Sequence, residues 1–232
     1  MKLRMLAVIC VALLGTGAAL AQPQPASPRI GDELVRWITQ TFDEAYVKPD
    51  ANLASYRKVI IDQPQIAFQK DWLKTINRTR DVSRWLTPAD QQKYAEDLSA
   101  SMGPAFADVF KAKGYEVVTA PAPGVLRVTP GVTDLFLNAP DIQSSNLTRT
   151  FNRETGDATL VVDARDAVTG VVLAHFVDRR TVRDTIGRRP QYTSDVGNLF
   201  WMEGASRTVA TNTIKEFEAK TDRVRTSSAA GR

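Results

Sequence analysis

Thr87 to Val118 spells out one helix and the extended segment that follows it. Thr87 supplies a hydroxyl for an N-cap, Pro88 suits the first helical position, and Asp90 places a carboxylate at the third. Tyr94, Leu98, Met102, Phe106 and Phe110 then recur at every fourth position, with Ala95, Ala105 and Val109 beside them. Such a stripe demands burial, and it suits packing on a sheet. Pro104, following Gly103, removes a backbone donor and predicts a kink or a division of the helix. Gly114 predicts the stop, and Tyr115 to Val118 turns directly into a strand.

The partners for that stripe lie on either side of it. Val59-Ile60-Ile61 begins a strand that Pro64 interrupts, and Ile66 and Phe68 continue it beyond a bulge or edge. Trp72 to Leu86 reads as a loop with short helical pieces. Val125 to Leu137 is a long strand in which Pro130-Gly131 again suggests an edge or bulge, and 138–156 is polar and loop-like. Ala158 to Asp166 and Val171 to Asp178 flank Ala167-Val168-Thr169-Gly170 and form the clearest hairpin. Ser194 caps a last helix carrying Val196, Phe200, Trp201, Val209 and Phe217. Leu34 to Val47 fits two descriptions, a helix through Leu34, Ile38 and Phe42 or an extended chain. Strands clustered between two long helices argue for an α+β fold, a single largely antiparallel sheet with two main helices packed on one face.

The chain ends frame a domain spanning 31–220. Residues 1–21 read as a signal peptide: Lys2 and Arg4 precede an apolar run, Met5 to Leu14, and Ala19-Leu20-Ala21 offers small residues for cleavage between Ala21 and Gln22. A retained membrane helix needs about twenty apolar residues, roughly twice this run. The one cysteine, Cys10, lies inside that run and lacks the small residue before it that lipid attachment requires. Cleavage therefore removes the only thiol, and disulfides are excluded from the exported chain. It also lowers the balance of 30 basic to 26 acidic residues to 28 against 26, which gives nucleic-acid binding no support. Gln22 to Ile30 begins with a proline-rich tether, and 221–232 reads as a flexible tail.

Little in the sequence converges on chemistry. A single histidine, His175, sits mid-strand, and a zinc site would need mostly carboxylate ligands. No serine-hydrolase elbow, phosphate loop or dinucleotide fingerprint occurs, so no catalytic residue, cofactor site or metal site is assigned. Asp163, Asp166 and Asp178 cluster on the hairpin with Arg165, Arg179 and Arg180. They are either cross-strand ion pairs or, less simply, an acid/base pair for glycan cleavage, with Asp166 fixing the turn. Arg179, Arg180, Arg183, Arg188 and Arg189 form the densest positive patch and could bind an anionic partner. Trp201 is expected in the core; Trp72 and Trp85 lie in the least regular region and could be partly exposed, with core packing the better default for both.

Longer runs carry a resemblance. Tyr46-Val47-Lys48-Pro49, Phe68-Gln69-Lys70-Asp71-Trp72, Gly114-Tyr115-Glu116-Val117-Val118, Thr133-Asp134-Leu135-Phe136-Leu137-Asn138-Ala139-Pro140 and Val177-Asp178-Arg179-Arg180 follow one another in family order. They resemble a bacterial envelope family of domains of unknown function, family 3313, many of whose members are predicted lipoproteins. The resemblance runs from about Leu34 to Phe217, implies no catalytic residues and favours the extended form of Leu34 to Val47. The chain departs from it at the front, where Ala-x-Ala cleavage stands in place of a lipid-attachment cysteine. The combined expectation is a non-enzymatic periplasmic or secreted envelope accessory domain that binds a protein or an anionic envelope component. An enzyme acting on glycans through the hairpin aspartates and a small-lipid carrier are the alternatives.

Overall fold

A computed structural model describes residues 34–78, 80–137, 151–152, 156–181, 191–192 and 195–230. Residues 1–30, read from the sequence as a signal segment with an Ala21–Gln22 junction and a tether, and Arg183, Arg188 and Arg189 lie outside the described residues. The main sheet is built from β1 (Val35–Arg36), β2 (Glu44–Val47), β3 (Lys58–Ile61), β4 (Gln65–Phe68), β5 (Glu116–Val117), β6 (Val125–Leu137), β8 (Gly156–Asp166) and β9 (Val172–Thr181). Its order is β1-β2-β9-β8-β6-β3-β5, with β4 also on β6, and a separate pair joins β7 (Phe151–Asn152) to β10 (Gln191–Tyr192). The helices are α1 (Trp72–Asn77), α2 (Pro88–Ala112) and α3 (Asp195–Ala230).

The sheet is mixed, which corrects the expectation of a largely antiparallel one. β3 is parallel to both β5 and β6, and β4 is parallel to β6. The cause is the helix read first in the sequence. A strand that leaves into α2 and returns beside itself makes a crossover, and a crossover connection yields parallel neighbours. Leu34 to Val47 contains β1 and β2, in agreement with the extended reading.

Helix α2 is capped at both ends by its own sequence. Asp90 N–H donates to Thr87 Oγ1 at 3.2 Å while Thr87 N–H donates to Asp90 Oδ2 at 2.7 Å, a capping box. At the other end Gly114 takes φ +84°, Gly114 N–H reaches the Lys111 carbonyl at 2.9 Å and Tyr115 N–H reaches that of Phe110 at 3.0 Å. This is a Schellman stop, and the Tyr115 and Phe110 rings meet edge to face at 5.2 Å across it. Pro104 does not divide the helix. Its exposed ring lies away from the stripe, and Gly103 beside it approaches the Pro64 ring instead.

Pro64 and Pro130 break the ladder at one level. β3 pairs with 125–128 and β4 resumes at Gly131, so Thr129 and Pro130 face the gap between β3 and β4. The strand therefore holds its proline in the middle of the sheet, where the sequence suggests an edge or bulge. Ser99 on α2 closes the gap by donating to the Pro64 carbonyl at 2.7 Å.

Alternation along β8 sorts the sheet's faces. Ala158, Leu160, Val162 and Ala164 are buried, and Asp157, Thr159, Val161, Asp163 and Arg165 are exposed to varying degrees. The buried set joins Phe176 of β9, Leu98, Met102, Phe106 and Phe110 of α2 and Trp201, Val209, Ile214 and Phe217 of α3 in one core. A smaller cluster of Trp72, Ile76 and Leu86 packs with Phe68, Tyr94 and Phe136. Trp72 is buried there, with its Nε1 donating to the Leu137 carbonyl at 2.9 Å, which fits the default of core packing. Trp201 is buried, as expected, whereas Trp85 departs from that default and is half exposed. Helix α3 continues to Ala230, through the segment read as a flexible tail.

Candidate functional site

Register aligns polar side chains in a line across the sheet. Thr129 on β6 stands opposite Asp163 on β8, Asp163 opposite His175 on β9, His175 opposite Tyr46 on β2, and Tyr46 opposite Arg36 on β1. Cross-strand partners share a face, and this face is the one turned away from Leu160, Val162 and Phe176. Asp62, just past β3, extends the line: Thr129 Oγ1 donates to its carboxylate at 2.7 Å, and Arg127 Nε lies 3.2 Å from it.

At the centre, His175 Nδ1 and Asp163 Oδ1 are 2.7 Å apart, and Arg165 Nη2 lies 3.4 Å from the other carboxylate oxygen. The pair is largely sequestered, with side-chain exposures of 11% and 13%. Polar groups so placed require matched partners, and ring, carboxylate and guanidinium supply them to one another. A histidine on a carboxylate is also two members of a hydrolase triad, so the nearby hydroxyls matter. The Tyr46 hydroxyl donates to Glu44 at 3.2 Å and that of Thr129 to Asp62. Both are turned toward other carboxylates, and the His175–Asp163 pair acts as a bridge between strands.

The hairpin acids do not converge. Asp163 lies on the polar face, whereas Asp178, opposite Leu160, projects from the core side and pairs with Arg180 at 2.6 Å. Burial nonetheless pushes the Asp178 carboxyl above the usual carboxylate range, with Arg180 working in the other direction. Asp166 holds the turn, as the sequence suggests. Its Oδ1 accepts from Val168 N–H at 3.1 Å, Thr169 N–H at 2.8 Å and Thr169 Oγ1 at 3.0 Å, and Oδ2 accepts from the Tyr56 hydroxyl at 2.9 Å. The Thr169 N–H is the main reason its carboxyl sits below the ordinary range. Burial, aided by Asp166, pushes Tyr56 up to about 12.

Of the sequence's arginine patch, the described members part company. Arg179 lies on the polar face, donating to Glu44 at 2.6 Å, with its backbone N–H on Asp43 at 2.6 Å. Arg180, the next residue, is committed to Asp178 on the opposite side. Sequence reasoning also missed a second polar centre. Glu216, buried on α3, accepts from Trp37 Nε1 at 2.8 Å and from the hydroxyls of Thr39 and Thr41. Lys220, one turn on, donates to the Pro49 carbonyl and stands 5.5 Å over the Trp37 ring. The available signal was a Glu and a Lys four apart on a helix stripe otherwise made of Val209, Ile214 and Phe217.

Among the described residues no group of three or more metal-ligating side chains gathers, and no helix is long and apolar enough to cross a membrane. No curated protein matches the chain in sequence. Among solved structures, the chain is similar to a PelC dodecamer from Paraburkholderia phytofirmans at 14% identity and a TM-score of 0.35, covering 70% of this chain and 90% of that one. It is also similar to a chain described as a neuraminyllactose-binding hemagglutinin homolog from Helicobacter pylori, at 14% identity and a TM-score of 0.36, covering 78% and 93%. The model of one family, described as protein of unknown function (DUF3313), matches residues 39–200, which takes in the polar line from Tyr46 to His175 and both strands of the hairpin. The chain belongs to the DUF3313 family.

Proposed function

We propose that the protein is a non-enzymatic accessory domain of the bacterial envelope, exported through its signal segment, whose polar sheet face docks a partner. In this reading α2 and α3 cover one face of the sheet and leave the other for binding. The observation that carries it is the registered line Thr129–Asp163–His175–Tyr46–Arg36, which crosses five strands on the side away from the core. The charges of Asp62, Asp163, Glu44 and Arg179 are paired within the face, so that part of the surface is pre-organised and has little side-chain freedom left to lose on binding.

Two features weigh against the alternatives. Of the aspartates that a glycan-cleaving enzyme would need, Asp163 and Asp178 lie on opposite sides of the sheet with arginine partners, and Asp166 is taken up by its turn and by Tyr56. A lipid carrier keeps a groove between sheet and helices, and that space is filled by Phe106, Phe110, Phe176 and Phe217, each wholly buried.

Site-specific photocrosslinking in intact cells tests the reading. A photoreactive residue at Thr159 or Arg165, on the polar face, should give a discrete adduct, while one at exposed Glu96 on α2 should not. No adduct from the face, or equal adducts from both surfaces, rejects it.

A further inference from the structure

We propose that the tip between α1 and α2, carrying Val82, Arg84 and Trp85, docks the protein on a lipid surface bearing anionic headgroups. The proposal concerns a different part of the molecule from the polar face and does not depend on it.

The tip presents large apolar side chains to solvent in a fixed geometry. Val82 is 73% exposed and Trp85 52%. A single 3-10 turn, Val82–Arg84, holds them, with Arg84 N–H on the Asp81 carbonyl at 2.8 Å and Trp85 N–H on that of Val82 at 3.3 Å. At the base, Asn77 clamps the two ends of the loop: its Nδ2 donates to the Leu86 carbonyl at 2.9 Å and its Oδ1 accepts from Leu86 N–H at 2.8 Å. Leu86 itself is buried against the Trp72 cluster. The ring is therefore offered outward on a rigid base.

Two features select a membrane as the occupant. Trp85 Nε1 already donates to the Arg80 carbonyl at 3.2 Å within the same loop. The ring can enter the headgroup boundary without stranding its one polar atom, which is where tryptophan partitions best. The segment leading into the tip is cationic: from Lys70 to Trp85 the chain carries Lys70, Lys74, Arg78, Arg80 and Arg84 against Asp71 and Asp81. All of these cations except Arg80 are exposed. An apolar tip of two side chains with Arg80 and Arg84 beside it is small for a protein interface. It matches the requirements of peripheral attachment, a shallow apolar wedge with phosphate-seeking charges beside it.

The test is cosedimentation of the chain from Gln22 onward with vesicles of mixed phosphatidylglycerol and phosphatidylcholine, set against phosphatidylcholine alone. The wild type should partition onto the mixed vesicles, far more weakly onto neutral ones, and less as salt rises. Val82→Ser with Trp85→Ser should lower partitioning by roughly tenfold, and Arg84→Gln by about fivefold. Because these side chains are exposed, thermal unfolding of the variants should match the wild type. Tryptophan emission gives a second readout, since a blue shift on mixed vesicles should vanish in Trp85→Phe. Absence of wild-type binding, equal binding to neutral vesicles, or wild-type binding by the double serine variant each overturns the proposal.

Discussion

Asp163 and His175 face each other because β9 holds one residue more than β8 between them and the turn. Next to the turn, Asp166 N–H bonds the Val171 carbonyl and Arg165 pairs with Val172, yet Ala164 pairs with Ala174. Leu173 is the extra residue, and its carbonyl accepts from Lys48 N–H at 2.8 Å on the neighbouring side. This bulge turns His175 onto the face of Asp163 and Asp178 onto the face of Leu160.

The bridge they form should be measurable as a coupling. Asp163→Ala removes the acceptor of both His175 and Arg165 and leaves a sequestered ring nitrogen without its partner. We expect each single variant, Asp163→Ala and His175→Ala, to lose about 1–3 kcal/mol of unfolding free energy. The double variant should lose less than the sum, with a coupling of about 1 kcal/mol or more in a urea-denaturation cycle. Strict additivity would show that the pair contributes nothing beyond its separate contacts.

The same bulge marks where the sequence stops being legible. The hairpin, its turn and the role of Asp166 follow from local residues and were readable. Counted outward from that turn without a bulge, Asp163 would face Ala174, and Asp178 would share its side. A one-residue slip exchanges every side chain between faces, and nothing local announces Leu173 as the extra residue. The parallel strands were hidden differently. The α2 helix between β4 and β6 implied a crossover, but β3 and β4 are four residues each and Pro64 masks that they run as one line along β6. The Glu216 site depends on contacts across more than 170 residues, which only the fold can bring together.

Glu216 predicts the largest loss among exchanges on α3. Its carboxylate serves Trp37, Thr39 and Thr41 at once, fastening the β1–β2 connection to the helix. Glu216→Leu removes the shared acceptor of three part-buried donors and should lower stability by about 2–5 kcal/mol in chemical denaturation. Trp37→Phe, which removes one donor and leaves the carboxylate two, should lose about 1 kcal/mol. Equal losses from the two would refute the account of Glu216 as the shared acceptor.

Asp178 and Asp166 should tilt the pH dependence of stability in opposite directions. Burial raises the folded-state Asp178 carboxyl above its ordinary 3.8, so its contribution is complete below 3.8 and is lost as pH rises through the raised value. Asp166 is lowered from 3.8 by its turn hydrogen bonds, so its contribution is complete above 3.8 and is lost as pH falls through the lowered value. Relative to wild type, Asp178→Asn should therefore gain stability as pH rises above 3.8. Asp166→Asn should be weaker at neutral pH and recover toward wild type in acid. Urea denaturation at a series of pH values reads both slopes, and slopes of the same sign would contradict the assigned environments.

Helix α2 carries a proline that its environment does not use. Pro104 is exposed, lies opposite the buried stripe of Leu98, Met102, Phe106 and Phe110, and deprives the Ala100 carbonyl of its helical donor. Pro104→Ala should restore that bond and raise stability by about 1–3 kcal/mol. Gly103→Ala should add about 1 kcal/mol more, since a Cβ there would stand 3.5 Å from Pro64 Cδ, an ordinary contact. The competing possibility is that the helix needs its proline to bend onto the β3–β4 gap, where Ser99 holds the Pro64 carbonyl. The two are separated by Ser99→Ala made in both backgrounds. If the proline is dispensable, Ser99→Ala loses the same free energy with Pro104 or Ala at that position. If Pro104→Ala destabilises the protein and also abolishes the effect of Ser99→Ala, the proline shapes the docking of α2, and the prediction of a stabilised variant is wrong.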